Sequence, residues 1–167
     1  MSQNSIDIQL ITARDDDEIG NIIRTVGAEF GAVGEGFGPG DAEVSAMSQH
    51  YTPEQGACYW VAKLNDRIVG GGGIAPFNAE KKICELRKLF LLPESRGLGI
   101  GKQLLEHCLN FATEVGCAQC YLDSLRTMES AIRLYEQFGF KRLDAPMDGT
   151  PHNRCDVWML KHLPSAE

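Results

Sequence analysis

No apolar run in this chain approaches the roughly 20 residues that a membrane-spanning helix needs. The first residues, MSQNSID, lack the basic start and apolar stretch of a secretory signal. Basic clusters are also missing. The formal net charge is −7, which argues against a nucleic-acid partner. No internal repeat, low-complexity stretch or linker interrupts the 167 residues. One domain over residues 1–167 is therefore expected, with room for a real core. The six cysteines (58, 84, 108, 117, 120 and 155) have no export signal beside them, so reduced thiols in a cytoplasmic protein are expected. Cys117 and Cys120 form a lone CxxC without a well-spaced second pair. His152 and Cys155 offer only a loose one, so no metal is expected. No cysteine sits in a recognisable nucleophile motif.

What is present is the ordinary make-up of a globular chain, 43% apolar and 23% charged. Ile6, Ile8 and Leu10 alternate with polar residues, as in a strand. Thr12 or Asp15 can cap the helix that follows, and the acidic run Asp15 to Glu18 suits a helix start. Ile19, Ile22, Ile23 and Val26 form its apolar stripe. The segment Gly31 to Asp41 carries five glycines and a proline and excludes regular structure. A second helix is expected from Asp41, with Val44, Met47 and Tyr51 inward. Residues 58–64 and 68–74 read as a hairpin joined by Asn65, Asp66 and Arg67. The run Gly70 to Gly73 inside a strand signals a bulge or a close backbone approach.

The most informative stretch is LRKLFLLPESRGLGIGKQLL, Leu86 to Leu105. A short apolar strand ends at Pro93 and leads through a glycine-rich loop into an amphipathic helix, expected over 99–115 with Gly116 as its stop. Period-two geometry places Glu85, Arg87, Leu89 and Leu91 on one face, and Leu86, Lys88, Phe90 and Leu92 on the other. A helix start after such a loop is a place to hold phosphate. The P-loop pattern fails, because Arg96 stands where it needs glycine and Gln103 where it needs Ser or Thr. Gly97, Gly99 and Gly101 spell GxGxG, not the dinucleotide GxGxxG, and they come after half the chain. Arg96, Gly99 and Gly101 do fit (Arg/Gln)-x-x-Gly-x-(Gly/Ala). Further on come a strand over 119–125 and a helix from about Met128 to Phe138, with Thr127 as cap. Residues Ala131 to Phe140 fit A-x-x-L-Y-x-x-x-G-F, and a last strand is expected over 156–163.

With these two matches in order, the chain resembles the GNAT superfamily of N-acetyltransferases. The resemblance covers the chain in element order and is specific over about 84–140. It implies an α/β fold with a twisted, mostly antiparallel sheet of six to seven strands flanked by helices. It implies acetyl-CoA as cosubstrate, held at the pyrophosphate by Arg96, Gly97, Leu98, Gly99, Ile100, Gly101 and Lys102. The pantetheine arm would pair with the backbone of Leu89, Phe90 and Leu91. The family often dimerises, which allows a homodimer here.

The resemblance also assigns roles. Tyr135 falls on the general-acid position. Glu85 stands where some members keep a catalytic glutamate, and Asp123 where others carry an acidic base. Without that role, Glu85 would simply form an ion pair with Arg87 or a lysine. The acceptor is an amine that the acidic net charge suits, with Glu35, Phe37 and Asp41 as its candidate contacts. Only about one lysine-like amine in a few thousand is neutral at pH 7, so a base is needed. Met128 replaces an asparagine that many members use on the pantetheine arm, so that contact is not carried over. Two rivals remain at this level: a non-catalytic CoA-binding module and, more weakly, a nucleotide-binding oxidoreductase.

Overall fold

The computed structural model describes residues 4–34 and 36–164. Its strands are β1 (Ile6–Leu10), β2 (Cys58–Leu64), β3 (Arg67–Asn78), β4 (Ile83–Leu91), β5 (Gln119–Ser124), β6 (Lys141–Leu143) and β7 (Val157–His162). Its helices are α1 (Asp16–Glu29), α2 (Met47–His50), α3 (Ile100–Glu114) and α4 (Glu129–Gln137). The strands form one sheet in the order β1-β2-β3-β4-β5-β7-β6. Every neighbouring pair is antiparallel except β4 with β5. The mixed α/β architecture is the one expected. No helix of the described residues is long and apolar enough to cross a membrane.

Each face of the sheet is covered by helices whose apolar spacing matches it. Ile19, Ile23 and Val26 of α1 pack with Val44, Met47 and Tyr51 against one face. Leu104, Leu105 and Cys108 of α3 pack with Ile132 and Tyr135 of α4 against the other. The segment after Asp41 is shorter in helix than expected. Residues Ala42–Ala46 wind as a 3-10 turn and only Met47–His50 is α-helical, yet its three apolar residues point inward as read from the spacing.

The β2–β3 turn is tighter than expected. Asn65 and Asp66 alone form it, both with positive φ, and Arg67 already pairs with Leu64. Two such residues are what a type I′ hairpin turn requires, and Asn and Asp tolerate it.

The alternation expected along β4 is broken in its middle. Phe90 pairs with Gly71 and Arg87 with Gly73, so Lys88 and Leu89 together oppose Gly72. This is a β-bulge, and Lys88 adopts φ +53° within it. The extra residue reverses parity. Arg87 and Phe90 share the face of Glu85, whereas Leu86, Leu89 and Leu91 pack on the other. The glycine run of β3 lies opposite this bulge. A Cβ on Gly71 or Gly73 would lie 2.6 or 2.5 Å from the ring of Tyr59.

Candidate active site

Strands β4 and β5 run side by side only from Ile83 to Glu85 and from Gln119 to Tyr121. Beyond that point β4 stays with β3, and β5 stays with β7. The two strands part, and among the described residues no strand pairs with the β5 side of Leu86 to Leu91. A wedge opens between them.

At its root lies a cleft of about 480 Å³, counted to its open mouth. Phe37, Pro39, Leu125 and Met128 supply apolar wall, and Glu85, Asp123 and His152 supply charge. Glu85 is 1% exposed. Arg87 Nε donates to its Oε1 at 2.6 Å, while no described residue hydrogen-bonds Oε2. Burial raises the Glu85 carboxyl above its usual range, and Arg87 offsets only part of that. Asp123 is the more engaged carboxylate. It accepts from the Tyr121 and Thr150 hydroxyls, and His152 Nδ1 lies 3.3 Å from Oδ2.

His152 is 7% exposed and joins two carboxylates, with Nε2 only 2.8 Å from Asp41 Oδ2. Burial alone would lower its pKa, but Asp123 and Asp41 outweigh burial and hold it at about 9. Ligating atoms of Glu85, Asp123 and His152 lie within 4.8 Å of one another. Both ring nitrogens of His152 face carboxylate oxygens, Nε2 that of Asp41 and Nδ1 that of Asp123. Asp41 Oδ2 also accepts from Lys88 Nζ at 2.9 Å, and Lys88 reaches Glu43 at the same distance.

The loop before α3 is bent by glycines. Gly97 and Gly99 have φ of +80° and +82°, and open space surrounds the position a Cβ would take. Gly99 is the N-cap of α3 and provides no side-chain cap, so the first N–H groups face outward unpaired by a side chain. Arg96 is placed differently from the expectation. Its guanidinium grips Glu29 at 2.7 and 2.8 Å, donates to the Leu91 carbonyl and stacks over Phe30. Tyr135 lies with α3 and α4 on the sheet face opposite Glu85, 5% exposed, and no described residue hydrogen-bonds its hydroxyl.

Residues 32–140 match the model of the acetyltransferase (GNAT) family. The chain belongs to that family. It is 38% identical over 155 residues to the uncharacterized N-acetyltransferase YjgM of Escherichia coli (strain K12), across 92% of each chain. The fold is similar to a GNAT-family acetyltransferase from Staphylococcus aureus Mu50, with TM-score 0.82 at 22% identity over 96% of this chain and all of that one. It is also similar to the PaiA N-acetyltransferase of Thermoplasma acidophilum solved with coenzyme A, with TM-score 0.73 at 18% identity over 95% and 98% of the two chains. This protein is an N-acetyltransferase, and the oxidoreductase and non-catalytic readings fall away.

In this GNAT chain Glu85, Asp123, Phe37 and Asp41 come together around one cleft. Glu35 lies outside the described residues. Thr127 does not cap α4; its hydroxyl donates to the Phe30 carbonyl, and Met128 holds the cap position. His152, Lys88 and Glu43 were not legible as site residues. His152 sits in a stretch without periodicity, and its only visible cue was the short spacing to Cys155.

Proposed function

We propose that this N-acetyltransferase moves the acetyl group of acetyl-CoA to a primary amine by direct attack on the thioester, with Glu85 as general base. The observation that carries this is the wedge at Glu85, which lines the cleft at its root and whose Oε2 takes no hydrogen bond from a described residue. Acetyl-CoA supplies an activated acyl group as a thioester. The edge of β4 from Leu89 to Leu91, beside which no described strand runs, is placed to hold its arm, and the glycine loop from Gly97 to Lys102 has the open, uncapped helix start for its phosphates. Arg96, already bound to Glu29 and Leu91, braces this loop and adds positive charge beside it.

Glu85 Oε2 removes a proton from the amine, directly or through water. Its raised pKa brings the carboxylate nearer to neutrality, which favours general-base work. Asp123 has its oxygens occupied by Tyr121, Thr150 and His152, and so it orders the site instead. Burial keeps the Tyr135 hydroxyl protonated. It is left to donate a hydrogen bond to the departing sulfur from the opposite side of the wedge.

The acceptor read here is a primary amine carried on an apolar body. A thiol-release assay over an amine panel tests it. Glu85→Gln should lower kcat about 10²–10³-fold with little change in the acetyl-CoA KM. Asp123→Asn should instead raise the amine KM. Equal kcat in Glu85→Gln and wild type would remove Glu85 from the chemistry.

A further inference from the structure

The charged network under the cleft ties together segments that no backbone ladder joins. Asp41 ends the glycine-rich loop, and His152 belongs to the irregular stretch before β7. Their contact at 2.8 Å is not alone between these segments. The Arg154 N–H also donates to the Gly36 carbonyl at 3.1 Å, the Arg154 guanidinium lies over the Phe37 ring at 4.9 Å, and Cys155 packs against the cluster that holds Phe37. His152 also reaches Asp123 on β5, and Asp41 also takes Lys88 from the bulge of β4. A single chain of charge, Lys88–Asp41–His152–Asp123, thus spans the two strands that part at the wedge. Phe37 and Pro39, which wall the cleft, lie just before Asp41 in the same loop.

We propose that His152 is a positioning residue that latches the Phe37–Asp41 loop to β5 and so sets how an acceptor meets Glu85. The latch needs both ring nitrogens to donate, and only the imidazolium has two N–H groups. A neutral ring would aim a lone pair at Asp41 or at Asp123. The groups facing His152 are Asp41 from the loop, Glu85 from β4, Asp123 from β5 and Cys155 from its own segment, with Lys88 behind Asp41. Carboxylates dominate that set, and they retain the proton. The role rests on the reading of the cleft as the acceptor site.

Three measurements on the full chain test it. Histidine-labelled NMR at pH 8 should show one of the four rings doubly protonated, and Asp41→Asn should shift that signal. Hydrogen exchange should quicken about tenfold in residues 36–41 in His152→Gln and in Asp41→Asn, with no further gain in the double variant and none in α3. With benzylamine as probe, either variant should raise the amine KM about tenfold while the acetyl-CoA KM stays within twofold.

Four neutral rings at pH 8, or unchanged exchange in 36–41, would overturn the latch even if a variant misfolds, since the ring measurement uses the wild type. Variant effects that multiply in the double would also overturn it. Failure of the wild type to acetylate benzylamine or any amine in the panel counts against the acceptor reading, while the NMR and exchange results still decide the latch.

Discussion

The hydroxyl of Tyr59 donates to the carbonyl of Lys88 at 2.7 Å, across the glycines of β3. The ring fits only because Gly71 and Gly73 carry no side chain beneath it. Its bond satisfies a buried carbonyl that the bulge takes out of the ladder. The same bulge turns Lys88 toward Asp41 and Glu43. The glycine run, the bulge and the charged network thus form one assembly.

Gly73→Ala should destabilise the fold by about 1–3 kcal/mol. Its Cβ would meet Tyr59 Cδ2 at 2.5 Å and the Cys58 carbonyl oxygen at 2.7 Å, and backbone cannot step aside cheaply. Urea unfolding measures the loss. A variant as stable as wild type would mean that Tyr59 is not pinned as described.

Lys88→Met removes the buried cation whose side chain is 2% exposed and leaves Asp41 and Glu43 facing one another. A loss of about 3 kcal/mol is expected, as for breaking a buried pair from one side. Glu43→Gln alone should cost less, because Asp41 still holds Lys88. Equal losses in the two variants would contradict the shared network.

Stability should also depend on pH through His152. Its folded pKa of about 9 lies above the unfolded value of about 6.5. The folded state therefore binds the proton more tightly. Its contribution is complete below about pH 6.5 and fades as pH climbs through about 9. At about 1.4 kcal/mol per unit, it amounts to a few kcal/mol. The stability gap between wild type and His152→Gln should narrow from pH 6.5 to 9.5. A constant gap would show that the imidazole stays neutral throughout.

Tyr135→Phe should lower kcat about 10–100-fold and leave the melting temperature within about 2 °C, since no described residue bonds the hydroxyl. The acetyl-CoA KM should hold. A large loss of stability with unchanged kcat would make Tyr135 a core residue only.

The elements that rest on local pattern were legible in the chain itself. Helical spacing at Ile19–Val26 and Leu104–Cys108 marks the buried faces of α1 and α3, and Gly97 and Gly99 mark the loop, because positive φ favours glycine. The Gly70–Gly73 run announced a bulge or close approach; the close approach occurs there, and the bulge lies opposite it in β4. The face carrying Lys88 was not legible. A bulge in one strand is set by how its partner packs, and period two cannot report an inserted residue.

Tertiary structure alone decided the site's electrostatics. Arg96 faces Glu29, 67 positions away, and His152 faces Asp41, 111 positions away. Spacing along a chain carries no record of such pairs. They exist because the parting of β4 and β5 leaves a gap that distant loops must fill with charge of the right sign. By itself, the sequence determined where chain geometry must be helical, extended or glycine-bent. Folding decided which carboxylate would be spent on structure and which, at Glu85, would keep an oxygen free.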